Sequence, residues 1–509
     1  MRTGIDLKTS LIIIFCSLLF FMIIPNNDQG YDSYSYSIAV RDGGDLFHPH
    51  HLLYHLFGFL FFKLFSFTGL GSMKILSMAN SLFGAITLMI VFKIIRYRTS
   101  EYMAAIGTVM TGFLFSFWYY ATSVEVNMPA LMFLCLALYY LIGKPKSGSN
   151  SMKVYIFIAA GILFHQIVAL AVIPILIYDF TRYKSFAKII RYAFPGLAGG
   201  FAIYLIVAIT QAETVSIDGI YKWLTFYGHL DAWGTLGTSN FSGAIWGKLK
   251  TFFGGDLIRQ IFYAGERSIA TIAYLSVIAA IWLGLIWMFI MGIVQLRVKS
   301  DSFSWLLLSL VVVYGIFSFW WAPTDDGFWL YQAVILMVFV FISAEKKLYT
   351  NWLVSIMVAM LVIVNLSCEF IPSSNRSNSY IYQGVEAFDR LKLTEDDLVI
   401  TNFSQIRLAY EYHKNIHVPT VCMMYLEPGD NEDVIAAYHD RIAQALKSGR
   451  VIIFDDEIRP EPSRKYLFNR FSPEEYASTY KIYQDNLTPV DSIMIHGRNV
   501  QLYELEAVN

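Results

Sequence analysis

Apolar residues along this chain gather into long runs rather than recurring at a helical or strand period, and short polar stretches separate the runs. A spanning helix needs about 20 mostly apolar residues. Runs of this kind stand at 74–95, 102–119, 127–143, 192–211, 268–295, 303–321, 328–344 and 350–370, and an earlier one covers Leu11 to Pro25. That first run follows Arg2 and Lys8 and has the shape of a signal peptide. No small-x-small cleavage site follows it, so it reads as an uncleaved first span with a cytoplasmic N-terminus. Segment 153–181 is too long for one span and short for two.

Lysine and arginine decide the count, because they mark cytoplasmic loops. The clusters are Lys93/Arg96/Arg98, Lys144/Lys146/Lys153, Arg182/Lys184/Lys188/Arg191, Arg297/Lys299 and Lys346/Lys347. They agree on one side only if 153–181 goes out and back as a broken pair. The chain then has eleven spans, and its last part emerges opposite the N-terminus. Two domains are expected: a transmembrane domain over 1–371 and a small extracytoplasmic α/β domain over 372–509. The second holds strand-like stretches, LVIT at 398, PTVCMM at 419 and VIIFD at 451, alternating with helical ones such as EDVIAAYHDRIAQALKSG. SIMIHGRNVQLYEL reads as a hairpin turning at Gly497 and Arg498. The pairing order of the strands does not follow from the sequence. Residues 212–267, outside by the same parity, are rich in aromatic residues and glycine and predict short helices at the interface.

Composition fits a polytopic membrane protein. Of 509 residues, 56% are hydrophobic and 15% charged, against roughly 25% charged in a soluble domain. A net charge of −1 gives no electrostatic footing for a nucleic-acid partner. Cys16 and Cys135 fall in apolar runs and read as small buried hydrophobes, while Cys368 and Cys422 could pair only in an oxidising compartment.

Against this background, charge concentrates in YDSYSYSIAVRDGGDLFHPHHLLYHLFG, residues 31–58. Tyr31 to about Arg41 predicts a helix with Asp32 and Tyr36 four apart on one face. After the DGGD break, HHLLYHLFGFLFFKLFSF is apolar enough to span, but a span here would invert every basic cluster downstream. It predicts a second helix lying in the interface. Other outer turns offer Glu125 in SVEVNMPAL at a helix start, where the dipole favours a carboxylate, His165 at the break of 153–181, and Asp325 and Asp326 in WWAPTDDGFWLY. The working face is therefore the outer one.

Each group also has a plainer reading. Asp32 and Glu125 suit helix caps, Asp42 and Asp45 suit a Gly-Gly turn, and Asp325 and Asp326 suit a solvated turn. His165 is costly inside a membrane unless it faces a polar cavity. Among the first-loop histidines only His51 and His55 stand four apart, so no metal ligand set is assigned and a divalent metal stays open as a cofactor.

Asp32-x-x-x-Tyr36-x-x-Ala39, Arg41-Asp-Gly-Gly-Asp45 and His48-Pro-His-His-Leu-Leu-Tyr54 resemble the first outer loop of GT-C glycosyltransferases, particularly the protein O-mannosyltransferase and aminoarabinose transferase group. Ser-Val-Glu125-Val-x-Met-Pro-Ala-Leu and the polar His165 continue the likeness, which covers roughly 10–180 and the later spans only by topology. The sequence departs from that group where Ser33 follows Asp32 in place of a second acid, and where His48-Pro49-His50-His51 stands in place of Lys-Pro-Pro. The resemblance implies a polytopic GT-C-like fold and sugar transfer, with inversion, from a polyprenyl-phosphate-linked donor in the bilayer to a protein, lipid or glycan hydroxyl. On that reading Asp32 is the general base, Glu125 the second acid, and His165 a hydrogen-bond partner of the donor phosphate. Tyr36, Arg41, His48, His50, His51, Tyr54, Lys222 and Arg259 then bind substrate, in a plasma (inner) membrane with the site outside. A lipid-linked donor needs no nucleotide-binding glycine loop, and none of the phosphate-loop form is present. The rival class is a transporter or lipid flippase of envelope precursors, which would favour midplane charges and inverted repeats.

Overall fold

A computed structural model describes residues 7–142, 148–212, 214–225, 234, 236–255, 257–258, 268–299, 301–343, 351–401, 403–421, 434–455, 479–495 and 498–506. The chain forms two compact units. The first comprises Met1–Asn26 and Tyr36–Ser374, the second Asn27–Ser35 and Asn375–Asn509.

The first unit is helical, as its long apolar runs require: with no water to satisfy backbone groups, a spanning segment must bond internally. Among the described residues, seven helices are long and apolar enough to cross a membrane: Ser72–Arg98, Gln166–Tyr183, Phe186–Gln211, Ile269–Arg297, Ser302–Trp321, Asp326–Ser343 and Trp352–Ser374. An eighth crossing exists if the bent pair Glu101–Gly112 and Phe115–Thr122 is one span, and three shorter apolar helices cover Leu7–Ile23, Asn127–Ile142 and Asn150–Phe164. All eleven expected apolar segments are thus helical, although four of them fall short of a full straight span. The protein is an integral membrane protein.

Two of these segments are broken where the sequence had suggested continuity or a hinge. The 102–119 run bends by 67° at Phe113–Leu114. The bend exposes backbone, and the Asn365 amide donates to the carbonyls of Phe113 (2.6 Å) and Phe252 (2.7 Å), supplying the partners that lipid cannot. The 153–181 segment breaks at His165, between Gly148–Phe164 and the 3₁₀ turn Gln166–Ala171.

The first loop holds helices Tyr31–Asp42 and Tyr54–Phe65, 12 residues each. At 1.5 Å per residue each is about 18 Å long, too short for a hydrocarbon core of about 30 Å. Gly43 at φ 73° and Asp45 at φ 45° turn the chain between them. In the 212–267 segment, helices Ile217–Leu224 and Ser239–Phe253 are present.

Gly254, which ends the second of these, has φ 74°, and a Cβ there would run into the buried Glu369 side chain. Gly254→Ala adds a clash to left-handed strain. It is expected to destabilise the first unit by roughly 2 kcal/mol or more, measurable as a lower thermal midpoint in detergent.

The second unit carries a five-stranded sheet. Its strands are β1 (Leu398–Ile400), β2 (Thr420–Val421), β3 (Val451–Phe454), β4 (Leu487–Ile495) and β5 (Arg498–Leu505), in the order β2-β1-β3-β5-β4. β1 pairs in parallel with β2 and β3, while β5 is antiparallel to β3 and β4. β1 and β3 are buried along their whole length, as continuous apolar runs in a parallel ladder should be. Tyr438 and Ile442 of helix Val434–Ser448 share one core cluster with Leu398, Ile400, Val451 and Ile453. The final hairpin exists, but Arg498 is the first residue of β5, opposite Ile495, rather than a turn residue. Gly497 and Cys422 lie outside the described residues.

Candidate active site

Three segments of the first unit converge on the first loop. Between its two helices, residues 48–53 are bonded to the His165 break. Gln166 donates from its side chain to Pro49 O (2.8 Å) and from its backbone to His50 O (3.1 Å). Leu53 N donates to Leu163 O (2.9 Å), and Tyr204 Oη donates to Pro49 O (3.1 Å). Trp223 and Leu224 pack against Leu52, Leu163 and Tyr204, so helix Ile217–Leu224 covers the same loop.

Those restraints gather the histidines. His48 stacks on His51 at 4.2 Å, His51 meets His55 edge-on at 5.0 Å, and His48 lies 5.7 Å from His50. Tyr36, buried on the first helix, approaches His51 at 4.9 Å, His55 at 4.7 Å and Tyr54 at 5.7 Å. His165 lies within electrostatic reach of His48, His50 and His51.

Hydrogen bonds fix some of the tautomers. His165 Nδ1 accepts from Ile167 N (3.1 Å), so the neutral ring carries its proton on Nε2. His55 Nδ1 donates to Asp45 O (2.7 Å), which leaves Nε2 as an acceptor. That atom, like His51 Nε2, is buried with no hydrogen-bond partner among the described residues.

The cluster is uncharged at neutral pH. Burial pushes His48 down to about 3, helped by its neighbours His50 and His55. His50 is pushed down to about 4 by burial, with Gln166 opposing. His51 falls well below the ordinary histidine range by burial and by four neighbouring imidazoles. As substrate-binding groups these histidines therefore offer neutral N–H donors and acceptors, not positive charge. An imidazole whose pKa is lower in the folded chain binds fewer protons there than in the unfolded one. Stability is therefore full above pH 6.5 and falls as pH drops toward 4 and 3. His48 and His50 should each cost roughly 3–5 kcal/mol across that window, seen as a thermal midpoint that declines below pH 6.5 in a pH series.

Asn80 ties this loop to Glu125. Its Nδ2 donates to Tyr54 Oη (3.2 Å), Ser123 O (2.8 Å) and Glu125 O (2.7 Å). Asn26 donates to Ser123 Oγ (2.9 Å), and Ser81 Oγ donates to Ala121 O (2.8 Å). Glu125 is buried, and its charge acts on both Tyr54 and Tyr120. Tyr120 in turn faces Asp325 and Asp326.

That last pair is not the solvated turn expected. Asp326 is buried, accepts from Ser116 Oγ (2.6 Å) and pairs with Lys250 (2.8 Å). Asp325 is pushed up to about 6 by burial and by Asp326, with Lys250 opposing, and it accepts from Gly327 N (2.8 Å).

Asp32 is exposed in the first turn of helix Tyr31–Asp42, one turn before Tyr36, and belongs to the second unit. Arg41 forms an ion pair with Asp42 (2.7 Å). Lys222 is exposed and pairs with Asp218 (2.8 Å) on its own helix. Arg259 lies outside the described residues. Among the described residues, no group of three or more His, Cys, Asp or Glu could hold a metal ion.

Residues 48–210 match the family model of dolichyl-phosphate-mannose-protein mannosyltransferases. No curated protein sequence matches the chain. Among solved structures, ArnT from Cupriavidus metallidurans in the apo state aligns with a TM-score of 0.57 at 11% identity, over 98% of this chain and 96% of that one. The fold is that of the GT-C glycosyltransferases. A second GT-C structure, the apo oligosaccharyltransferase of Archaeoglobus fulgidus, aligns with a TM-score of 0.54 at 13% identity, over 94% of this chain and 72% of that one. ArnT bound to undecaprenyl phosphate aligns at 0.54 and 9% identity, over 98% and 96%. The family match falls on the segment that holds the histidines, Asn80, Glu125 and His165.

Proposed function

We propose that the protein transfers a sugar from a polyprenyl-phosphate-linked donor to an acceptor hydroxyl on the extracytoplasmic face of the plasma membrane. The observation that carries the reading is the convergence of Tyr36, His48, His50, His51, Tyr54, Glu125 and His165 in one buried polar network on a GT-C scaffold. The ArnT relative has been seen with undecaprenyl phosphate, and the archaeal enzyme AglB, at a TM-score of 0.50, with an inhibitory peptide and a dolichol-phosphate.

In the proposed step the acceptor oxygen attacks the anomeric carbon. The bond from that carbon to the phosphate oxygen breaks, its electrons stay on the lipid phosphate, and a single displacement inverts the sugar. Asp32 takes the hydroxyl proton as general base, and Glu125 orients the acceptor. Departing phosphate gains charge, and preorganised donors aimed at developing charge stabilise the transition state most. His165 Nε2–H is such a donor. Since the imidazoles are neutral, positive charge falls to Arg41, Lys222, Lys250 or Arg259.

The test incubates detergent-purified protein with a panel of polyprenyl-phosphate sugars and acceptors, following released polyprenyl phosphate by mass spectrometry. The reading expects release from at least one donor, with the product anomer inverted by NMR. Translocation of an intact donor in proteoliposomes, with no release from any, would favour the flippase.

A further inference from the structure

The helix that carries Asp32 is shared between the two units. Asn27–Ser35 belongs to the same compact unit as Asn375–Asn509, and the remainder from Tyr36 belongs to the other. The anchor of that first turn is Tyr34, which has no exposed surface. Its ring meets Tyr412 and His413, each at 6.1 Å and each edge-on. Tyr382 stands beside it, 5.4 Å from His413, and carries the Arg376 guanidinium over its own ring at 5.0 Å. A second tie lies just upstream, where Ser379 Oγ donates to Asp28 Oδ1 (2.7 Å).

Successive helical residues are about 100° apart, so positions 32 and 34 point to nearly opposite sides of the helix. Tyr34 is buried within the second unit, while Asp32 is exposed. Burying a tyrosine between two rings fixes the rotation of that turn, because edge-on aromatic contacts have a defined geometry. The same rotation sets the direction of the Asp32 carboxylate.

We propose that the C-terminal unit is a positioning element for the catalytic aspartate, acting through Tyr34. This rests on the reading of Asp32 as general base. The domain would thereby control turnover in addition to any contact it makes with an acceptor. A carboxylate turned by tens of degrees still admits substrate but meets the acceptor proton badly, so the loss falls on kcat and not on donor KM.

The experiment uses the full chain in nanodiscs and the undecaprenyl-phosphate sugar that the release assay selects. Tyr34→Ala and, as a milder partner lesion, Tyr412→Ala are each expected to lower kcat about tenfold or more with donor KM within twofold. Hydrogen exchange at amides 31–36 should quicken in both. Tyr34→Phe keeps the ring packing and should restore both readouts. Unchanged kcat in Tyr34→Ala, or unchanged exchange at 31–36, would overturn the proposal. So would a Tyr412→Ala loss that vanishes when turnover is expressed per natively folded molecule, because a misfolded fraction lowers apparent kcat and leaves KM unchanged. Asp32→Asn separates this failure from failure of the base assignment. If it turns over like the wild type, the base assignment falls first, while faster exchange in Tyr34→Ala would still report the anchor.

Discussion

Asp32→Asn is expected to lower turnover about a thousandfold, within the usual range for losing a positioned general base, while leaving the thermal midpoint almost unchanged. Asparagine has the same shape but cannot accept the acceptor proton. It keeps whatever capping Asp32 supplies at the helix start, since Asn and Asp cap equally well. Asp32 is also exposed, and exposed substitutions usually shift stability by less than about 0.5 kcal/mol. Rate and stability therefore separate at this position, which a structural cap would not allow. The measurement pairs steady-state release of polyprenyl phosphate with thermal unfolding of the same preparation. Wild-type turnover in the variant would remove Asp32 from the chemistry.

Asn80→Ala should do the reverse and strike stability first. One amide nitrogen serves Tyr54 Oη and the carbonyls of Ser123 and Glu125, all in buried surroundings where no water replaces it. Leaving those carbonyls unpaired costs roughly 2–4 kcal/mol. The Asn26 bond to Ser123 Oγ remains, so the turn should loosen without being lost. A displaced Glu125 should then lower turnover by about tenfold. Asn80→Asp should be worse than alanine, because it sets a carboxylate against two carbonyl oxygens. Unfolding midpoints of the two variants, ranked against the wild type, check the order. An alanine variant as stable as the wild type would show that the clamp is dispensable.

The helical runs and the two short first-loop helices were legible because lipid imposes one rule on every spanning segment, that the backbone satisfy itself. The bend at Phe113–Leu114 was not. The Phe113 carbonyl exposed there is satisfied by Asn365, 252 residues away, and distant partners leave no local signature. Asn80 follows the same logic: an amide in an apolar run is a cost that must be repaid somewhere, and only the fold reveals that the repayment is the Glu125 turn. The histidines were found from their density in the sequence, but their neutrality was not legible there. Neutrality comes from burial and mutual repulsion, both properties of packing. Asp325 and Asp326 look like a solvated turn by composition. Lys250 and Ser116, from two other helices, bury and pair Asp326 instead. In the second unit, the strands were readable as apolar stretches, whereas the β2-β1-β3-β5-β4 order depends on crossovers that no stretch encodes.

In the proposed site the first-loop histidines receive the head of a lipid phosphate. This is tested most directly with a polyprenyl-phosphate analogue carrying a diazirine on its first isoprene unit, cross-linked in nanodiscs and mapped by peptide mass spectrometry. Adducts are predicted within residues 47–58 and 162–171, competed away by unlabelled polyprenyl phosphate. Competable adducts confined to other segments, with none in these two, would contradict the account.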